Sequence, residues 1–328
     1  MVVGGADPRA AFELLARPGV VPTRVVPGFD GPEVVLVDLG RHVFREAFFD
    51  ESVNAALSAL RAYPERMRLP IEDLVAFDGY PDAVPLAGLV FHVSRCGSTL
   101  VSRTLAQDES THVVAEADPI DVVVTRMRGD EETRVRRLRG LVRAYARRRT
   151  ERTERLVLKL DAWHLRSLPL FRAAFPEVPW VVVVRDPLEV LASHRRRRGS
   201  HMVPGLRPPE YFAIDPSEFE SHELDRYGCL VLRSLYDAAR AGLAAGGGRL
   251  IEYPSLPGAI GTDVLPFFGI PEGSDAAATA RLASEHVKVP GLPFVPDGEE
   301  KRSEVPGEVR AWVDALARPA YEALLASR

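Results

Sequence analysis

The chain has 328 residues, 46% of them hydrophobic and 27% charged, which is enough apolar material for one large domain or a domain with a smaller unit attached. Its formal net charge of −4 argues against a dedicated nucleic-acid binder. Two distant cysteines, Cys96 and Cys229, give neither a disulfide framework nor a metal-ligand pair, no apolar run reaches the ~18 residues of a bilayer span, and the first residues lack a basic start followed by an apolar stretch. The expectation is a cytoplasmic protein without membrane or nucleic-acid partners.

The first 85 residues contain a helical stretch AAFELLA, a Pro/Gly-rich loop, a short strand EVVLVDL, a helix after Asp50, and a linker-like ending VAFDGYPDAVP. This composition reads as an accessory layer, 1–85, packed on a main domain, 86–328. From residue 86 short apolar runs alternate with helical segments: strands are expected at 86–93, 111–116, 155–160, 180–184 and 249–253, with helices such as Ser98–Gln107 and Leu165–Phe175 between them. That alternation is the pattern of an α/β fold, a parallel sheet flanked by helices. A helix over Leu224–Leu243, a glycine break at Gly246–Gly248 and a closing amphipathic helix Val309–Leu325 complete the core.

Two segments carry anion-binding chemistry. In FHVSRCGSTLVSRTLA a buried strand runs through Ser94, Arg95, Cys96, Gly97, Ser98 and Thr99 into a helix. A glycine there lets the backbone approach an anion, and the helix N-terminus supplies N–H groups and a favourable field. Ser98 and Thr99 add hydroxyls and Arg95 a charged donor. The nucleotide-kinase form GxxxxGK[ST] is not matched, because Ser98 stands where the lysine would be. In WVVVVRDPLEVLASHRRRRG a second strand ends at Arg185, with Asp186 as N-cap and Pro187 at the first helical position. Ser193, two helical turns beyond the cap, returns to the side where the chain left the strand, so guanidinium and hydroxyl converge on one anion.

In order and in structural context, the two segments resemble the 5'-phosphosulfate loop and the 3'-phosphate motif of sulfotransferases. RLIEYPSL resembles the same family's Tyr-Glu-Asp-Leu segment, whose tyrosine contacts adenine; here Tyr253 is followed by Pro254 and Ser255, so that match is partial. The resemblance covers residues 86 to about 270. It implies a P-loop-type fold, 3'-phosphoadenosine-5'-phosphosulfate (PAPS) as donor, adenosine 3',5'-bisphosphate (PAP) as product and no metal. The sequence does not specify the acceptor; a small alcohol, phenol or amine of specialised metabolism is the first expectation, ahead of a protein or glycan.

For the transfer itself, only three of 42 basic residues are lysine (Lys159, Lys288 and Lys301), so a lysine marks a place where a compact ammonium is wanted. Lys159 ends a central strand and is the expected cation for the leaving oxygen. Family members with a Lys there have a catalytic His two residues later; this chain has Asp161, and His164 lies three further on. Other branches use a glutamate near the end of the second strand, where Glu116 stands, so Glu116 is the expected base, with His164 and Asp161 as alternatives. The run from Arg134 to Arg155 reads as a solvated helix face, and HRRRRGSHMVPG as a segment suited to a lid. The competing functions are a non-catalytic nucleotide- or partner-binding protein and a P-loop kinase.

Overall fold

The computed structural model describes residues 13, 15–79, 82–271, 302 and 304–327. The expected helix AAFELLA lies largely outside them, as do Lys288 and Lys301. The chain first forms an antiparallel sheet of β1 (Val20–Pro27), β2 (Pro32–Asp38) and β3 (Arg66–Pro70), with β2 in the middle and helix α1 (Phe49–Ala59) inserted between β2 and β3. Only β2 was legible in the sequence. β1 reads as a Pro/Gly loop because Pro22 and Pro27 fall within it; as an edge strand with an irregularity between Pro22 and Arg24 it tolerates them.

The second sheet has five parallel strands, β4 (Leu86–His92), β5 (Thr111–Ala115), β6 (Arg155–Lys159), β7 (Trp180–Val184) and β8 (Gly248–Glu252), in the order β5-β6-β4-β7-β8. All five expected strands are present within a residue at each end. β7 is buried along its whole length, as helix cover on both faces requires. Helices α2 (Ser98–Leu105), α3 (Glu131–Tyr145), α4 (Leu168–Ala174), α5 (Pro187–Arg196) and α6 (Leu224–Ala244) follow. Two expected helices are interrupted. The segment from Leu165 starts as a 3₁₀ turn, Ala162–Ser167, and becomes α-helical at Leu168, where Pro169 can occupy the first turn. The closing helix is split into α7 (Gly307–Trp312) and α8 (Arg318–Ala326) by a π turn, Val313–Ala317, because Pro319 cannot donate to the regular ladder. No described helix is long and apolar enough to cross a membrane.

The two sheets share one apolar cluster, and the arginine run that starts in α3 and continues past its end joins them. Its reading as a solvated face is corrected: Arg147 and Arg149 are buried. The Arg149 guanidinium donates to the carbonyls of Pro18, Gly19, Gly40 and His42 at 2.9–3.3 Å, and Arg147 donates to Ala16 O. A planar fork of five donors suits such a carbonyl cluster, and a solvated ammonium does not. Burial pulls the Arg149 pKa down to about 10, still charged at neutral pH. Tyr145 Oη adds a 2.8 Å bond to Pro22 O. The supposed linker is also structured: Ile71–Gly79 is a 3₁₀ helix whose Leu74 and Phe77 are buried. Arg149→Met is expected to lower the unfolding free energy by about 3 kcal/mol, the scale of several buried carbonyls left without donors. Urea unfolding measures it, and a change within about 0.5 kcal/mol, typical of a surface site, would contradict the role.

Candidate functional site

A cavity of about 790 Å³ opens at the carboxyl ends of the parallel strands, where the sheet order reverses around β4. The loop between β4 and α2 forms its floor. Ser94, Arg95 and Gly97 have φ of 72°, 51° and 87°. For the two non-glycine residues this left-handed backbone costs on the order of 1–3 kcal/mol each, strain typical of a functional loop. It curls the chain into the first turn of α2, where Leu100 N already bonds to Gly97 O and the N–H groups of Ser98 and Thr99 are the ones without an acceptor within the helix. Gly97 is required twice over: by its φ, and because a Cβ there would lie 2.7 Å from Leu256 and 3.2 Å from the Tyr253 ring. Cys96 contributes backbone only. Its Sγ points to the core and donates to Val183 O at 3.1 Å, and burial pushes the thiol up to about 11.

Next to the loop, Arg185 leaves the end of β7 and Ser193 comes back along α5 to the same cavity. Asp186 caps α5 through Leu188 N and Glu189 N, as its position in the sequence implies. Arg185 Nε donates to Glu189 at 2.7 Å, its NH1 reaches Arg95 O at 3.4 Å, and its guanidinium lies 3.8 Å from the Tyr253 ring centroid. Ion pair, loop carbonyl and ring together hold the planar cation in one orientation beside the loop. Arg95, which burial and Arg197 lower from its usual pKa, donates to Arg197 O at 2.7 Å. That bond ties the loop to the end of α5.

The segment read as a lid is packed down among the described residues. Arg195 and Arg198 pair with Asp225 on α6, Arg196 pairs with Glu304, and His201 and Met202 are buried.

On the other side, over β5 and β6, lies a second set of groups. Glu116 follows β5 with φ 57°, a further left-handed non-glycine residue. Its carboxylate pairs with Lys159 Nζ and lies 3.3 Å from His92 Nε2. His92 Nδ1 accepts from Ser94 N at 3.0 Å, so its proton sits on Nε2, facing Glu116. Burial alone would raise the Glu116 carboxyl, but Lys159 and then His92 outweigh it and hold the group well below the ordinary carboxylate range. Lys159 is almost wholly buried, 5.1 Å from the Phe48 ring centroid, and is not among the residues lining the cavity. Its placement is therefore behind Glu116, as counter-ion, and differs from the expected position at a leaving oxygen.

His164 is also off the cavity. Its Nδ1 accepts from Asp161 N at 3.3 Å and its Nε2 faces Asp121 at 3.1 Å. Asp121 in turn accepts from Trp163 Nε1 at 2.6 Å and from Arg207 at 3.0 Å, while Arg207 stacks 3.6 Å over Trp163. Asp121, Asp161 and His164 bring ligand-type atoms within 4.8 Å of one another. With both ring nitrogens of His164 engaged and the Asp121 carboxylate also met by Trp163, Arg207, Thr125 and Arg126, they form a protein network that fixes Trp163 in the cavity wall. Asp161 does line the cavity. Burial, reinforced by Glu116 and Asp121, pushes its carboxyl well above the usual value.

The sequence reading missed His92, His201 and the contribution of the N-terminal layer, from which Glu46, Phe48 and Glu51 line the cavity. His92 was recoverable from its place at a strand end directly before the loop. The N-terminal residues carry no comparable local signal.

No protein-family model matches the chain, and no curated protein matches it. Among solved structures it is similar to a sulfotransferase from Alicyclobacillus acidocaldarius, at TM-score 0.44 and 15% identity over 74% of this chain and 94% of that one. It is also similar to the sulfotransferase domain of the Synechococcus PCC 7002 olefin synthase, at TM-score 0.43 and 14% identity over 74% and 96%. A third is sulfotransferase STF9 from Mycobacterium avium, at TM-score 0.46 and 14% identity over 79% and 80%.

The raised Asp161 pKa has a direct consequence for stability. Between the unfolded-state pKa of about 3.9 and the higher folded value, the unfolded chain releases a proton that the folded one keeps, so stability falls as pH rises through that window. Asp161→Asn, neutral throughout, is expected to match the parent in Tm near pH 4 and to exceed it by a few degrees at pH 8. An unchanged or lower Tm at pH 8 would show that the carboxyl is comfortably ionised in the fold.

Proposed function

We propose that the chain is a sulfotransferase that moves a sulfuryl group from PAPS to a hydroxyl or amine of a small molecule. The observation that carries this reading is the opening of two anion-binding elements on one cavity: the strained loop Ser94–Thr99 at the head of α2, and Arg185 with Ser193 beside Tyr253. One phosphate-type group suits each element, and a donor with both a 5'-phosphosulfate and a 3'-phosphate spans them. Arg95 and the amides of Gly97, Ser98 and Thr99 would hold the 5' end, Arg185 and Ser193 the 3'-phosphate, and Tyr253 would flank the adenine. A kinase of the P-loop type is disfavoured by Ser98, which stands where that chemistry uses a lysine.

In the reaction, the acceptor oxygen or nitrogen forms its bond to sulfur as the bond from sulfur to the 5'-phosphate oxygen breaks, and the electron pair leaves on that oxygen. Developing charge there falls to Arg95 and the loop amides, the cationic and N–H groups of the cavity floor. The acceptor proton goes to the Glu116 carboxylate, kept ionised by Lys159 and oriented by His92. Lys159 thus acts through Glu116. His164 acts one step further out, through Asp121 and Trp163.

Calorimetry is expected to give much tighter binding for PAP than for adenosine 5'-monophosphate, since charge-assisted hydrogen bonds contribute on the order of 1.5–3 kcal/mol each. Arg185→Ala should erase the difference and Arg185→Lys keep part of it, the fork geometry being lost. Equal affinity for the two nucleotides would reduce Arg185 to the structural partner of Glu189 and remove the sulfotransferase reading. Glu116→Gln is expected to keep PAP binding and to slow transfer to an alcohol by ~10²–10⁴, with most of the loss absent for an acidic phenol. Unchanged turnover of the alcohol would move the base to Asp161 or another group.

A further inference from the structure

Charge is segregated along the cavity. Its five lining arginines, Arg95, Arg103, Arg185, Arg197 and Arg198, all come from the loop, α2 and the region of α5. Its four lining carboxylates come from elsewhere: Glu46 from the segment before α1, Glu51 from the first turn of α1, Glu116 after β5 and Asp161 after β6. Of these four, Glu116 is paired with Lys159, and burial disfavours the charge on Asp161. Glu46 and Glu51 remain. Glu46 is partly buried, and although burial opposes its charge, Ser52 and nearby backbone amides hold its pKa below the ordinary value. Glu51 is exposed on the first turn of α1. The partly buried rings of Phe48 and Trp163 line the cavity with them.

A second, independent feature faces the same space. His201 is almost wholly buried, its ring 5.3 Å from Trp163, and its Nε2 is buried without a hydrogen-bond partner while the residue lines the cavity. Burial, and then His92 and Arg207, push the imidazole down to about 3, so it is neutral at physiological pH. A buried neutral nitrogen without a partner costs free energy unless a ligand group meets it. A hydroxyl can do so.

We propose that the acceptor is a hydroxyl compound bearing a protonated amine, with the ammonium held by Glu46 and Glu51 beside Phe48 and the hydroxyl received by His201 near Glu116. This rests on the sulfotransferase reading for the reaction, but the charge preference can be measured without turnover. An ammonium gains from both carboxylates and aromatic faces, whereas an anionic acceptor would meet two carboxylates, of which Glu46 has the His42 imidazole, 3.4 Å away, beside it and Glu51 is exposed. The N-terminal layer, anchored through Arg149, thereby becomes the specificity wall of a site whose chemistry lies in the parallel sheet.

The test uses three phenols of similar size: tyramine, 4-ethylphenol and 3-(4-hydroxyphenyl)propionate. Calorimetry with the full chain, with and without saturating PAP, should give tyramine the tightest binding, about tenfold over 4-ethylphenol at low salt as partly exposed charge pairs supply. The propionate should bind weakest, and added salt should narrow the spread. Glu46→Gln/Glu51→Gln should bring tyramine to the level of 4-ethylphenol while PAP affinity is retained; Glu51→Gln, a change at an exposed position, should do so in part if the double variant folds poorly. His201→Ala should weaken all three phenols by a similar factor. Equal or weaker binding of tyramine relative to 4-ethylphenol, or no binding of any of the three, overturns the inference whatever PAP does. A charge preference that persists in a protein unable to bind PAP would sink the donor assignment and leave the acidic wall standing.

Discussion

The position of β4 between β6 and β7 is the constraint on which the site depends. Parallel pairing in that order places three strand ends side by side: the loop after His92, the Lys159 end of β6 and the Arg185 end of β7. Lys159 and Arg185 follow His92 by 67 and 93 positions in the chain, yet the pairing registers leave them little freedom. The apolar stretches of β4, β6 and β7 are buried, and at their carboxyl ends, where the backbone ladder stops and the cavity begins, polar side chains take over. Binding chemistry and fold stability thus occupy consecutive residues of the same strands.

Local backbone strain is concentrated at those ends. Ser94, Arg95 and Glu116 all sit in the left-handed region, and all three line the cavity. Each is over-determined by its neighbours. Ser94 N is bonded to His92, the Arg95 side chain is bonded to the end of α5, and Glu116 is held by Lys159 and His92. His92 links the two strained segments, since one ring nitrogen faces the loop backbone and the other the carboxylate. A change in the loop would therefore be felt at Glu116 without any direct contact between them. The buried Asp161 adds a destabilising group to the same region, in keeping with sites that trade stability for prepared chemistry.

The N-terminal layer has a larger part than a covering one. Arg147 and Arg149 reach from the end of α3 into carbonyls of its loops, and this fixes the segment preceding α1 against the mouth of the cavity. Phe48 packs over Lys159, so the layer also shields the counter-ion of Glu116 from solvent. Water excluded there strengthens the pair and with it the charge on the carboxylate.

The parallel sheet, the turns at Ser94–Thr99 and Arg185–Pro187 and most of their polar residues were legible in the sequence, because each is a local pattern: an apolar run, a turn residue, a cap, a helix start. Ser94–Thr99, Arg185, Ser193, Tyr253, Glu116 and Asp161 all meet at one cavity, as their placement at strand ends implies. The edge strands β1 and β3, the buried arginines just after α3 and the packed segment after α5 were not legible, since prolines and charge runs look alike in solvent and in a carbonyl-lined interface until the partner is known. The same holds for the roles of Lys159 and His164. Their types suited chemistry, but which nitrogen faces the cavity and which faces a buried carboxylate is set by side-chain direction and by neighbours distant in the chain. Sequence determined which residues stand at the ends of which strands; tertiary structure alone decided which of those charges neutralise one another and which are left facing the cavity, because pairing depends on distances across elements that no local pattern encodes.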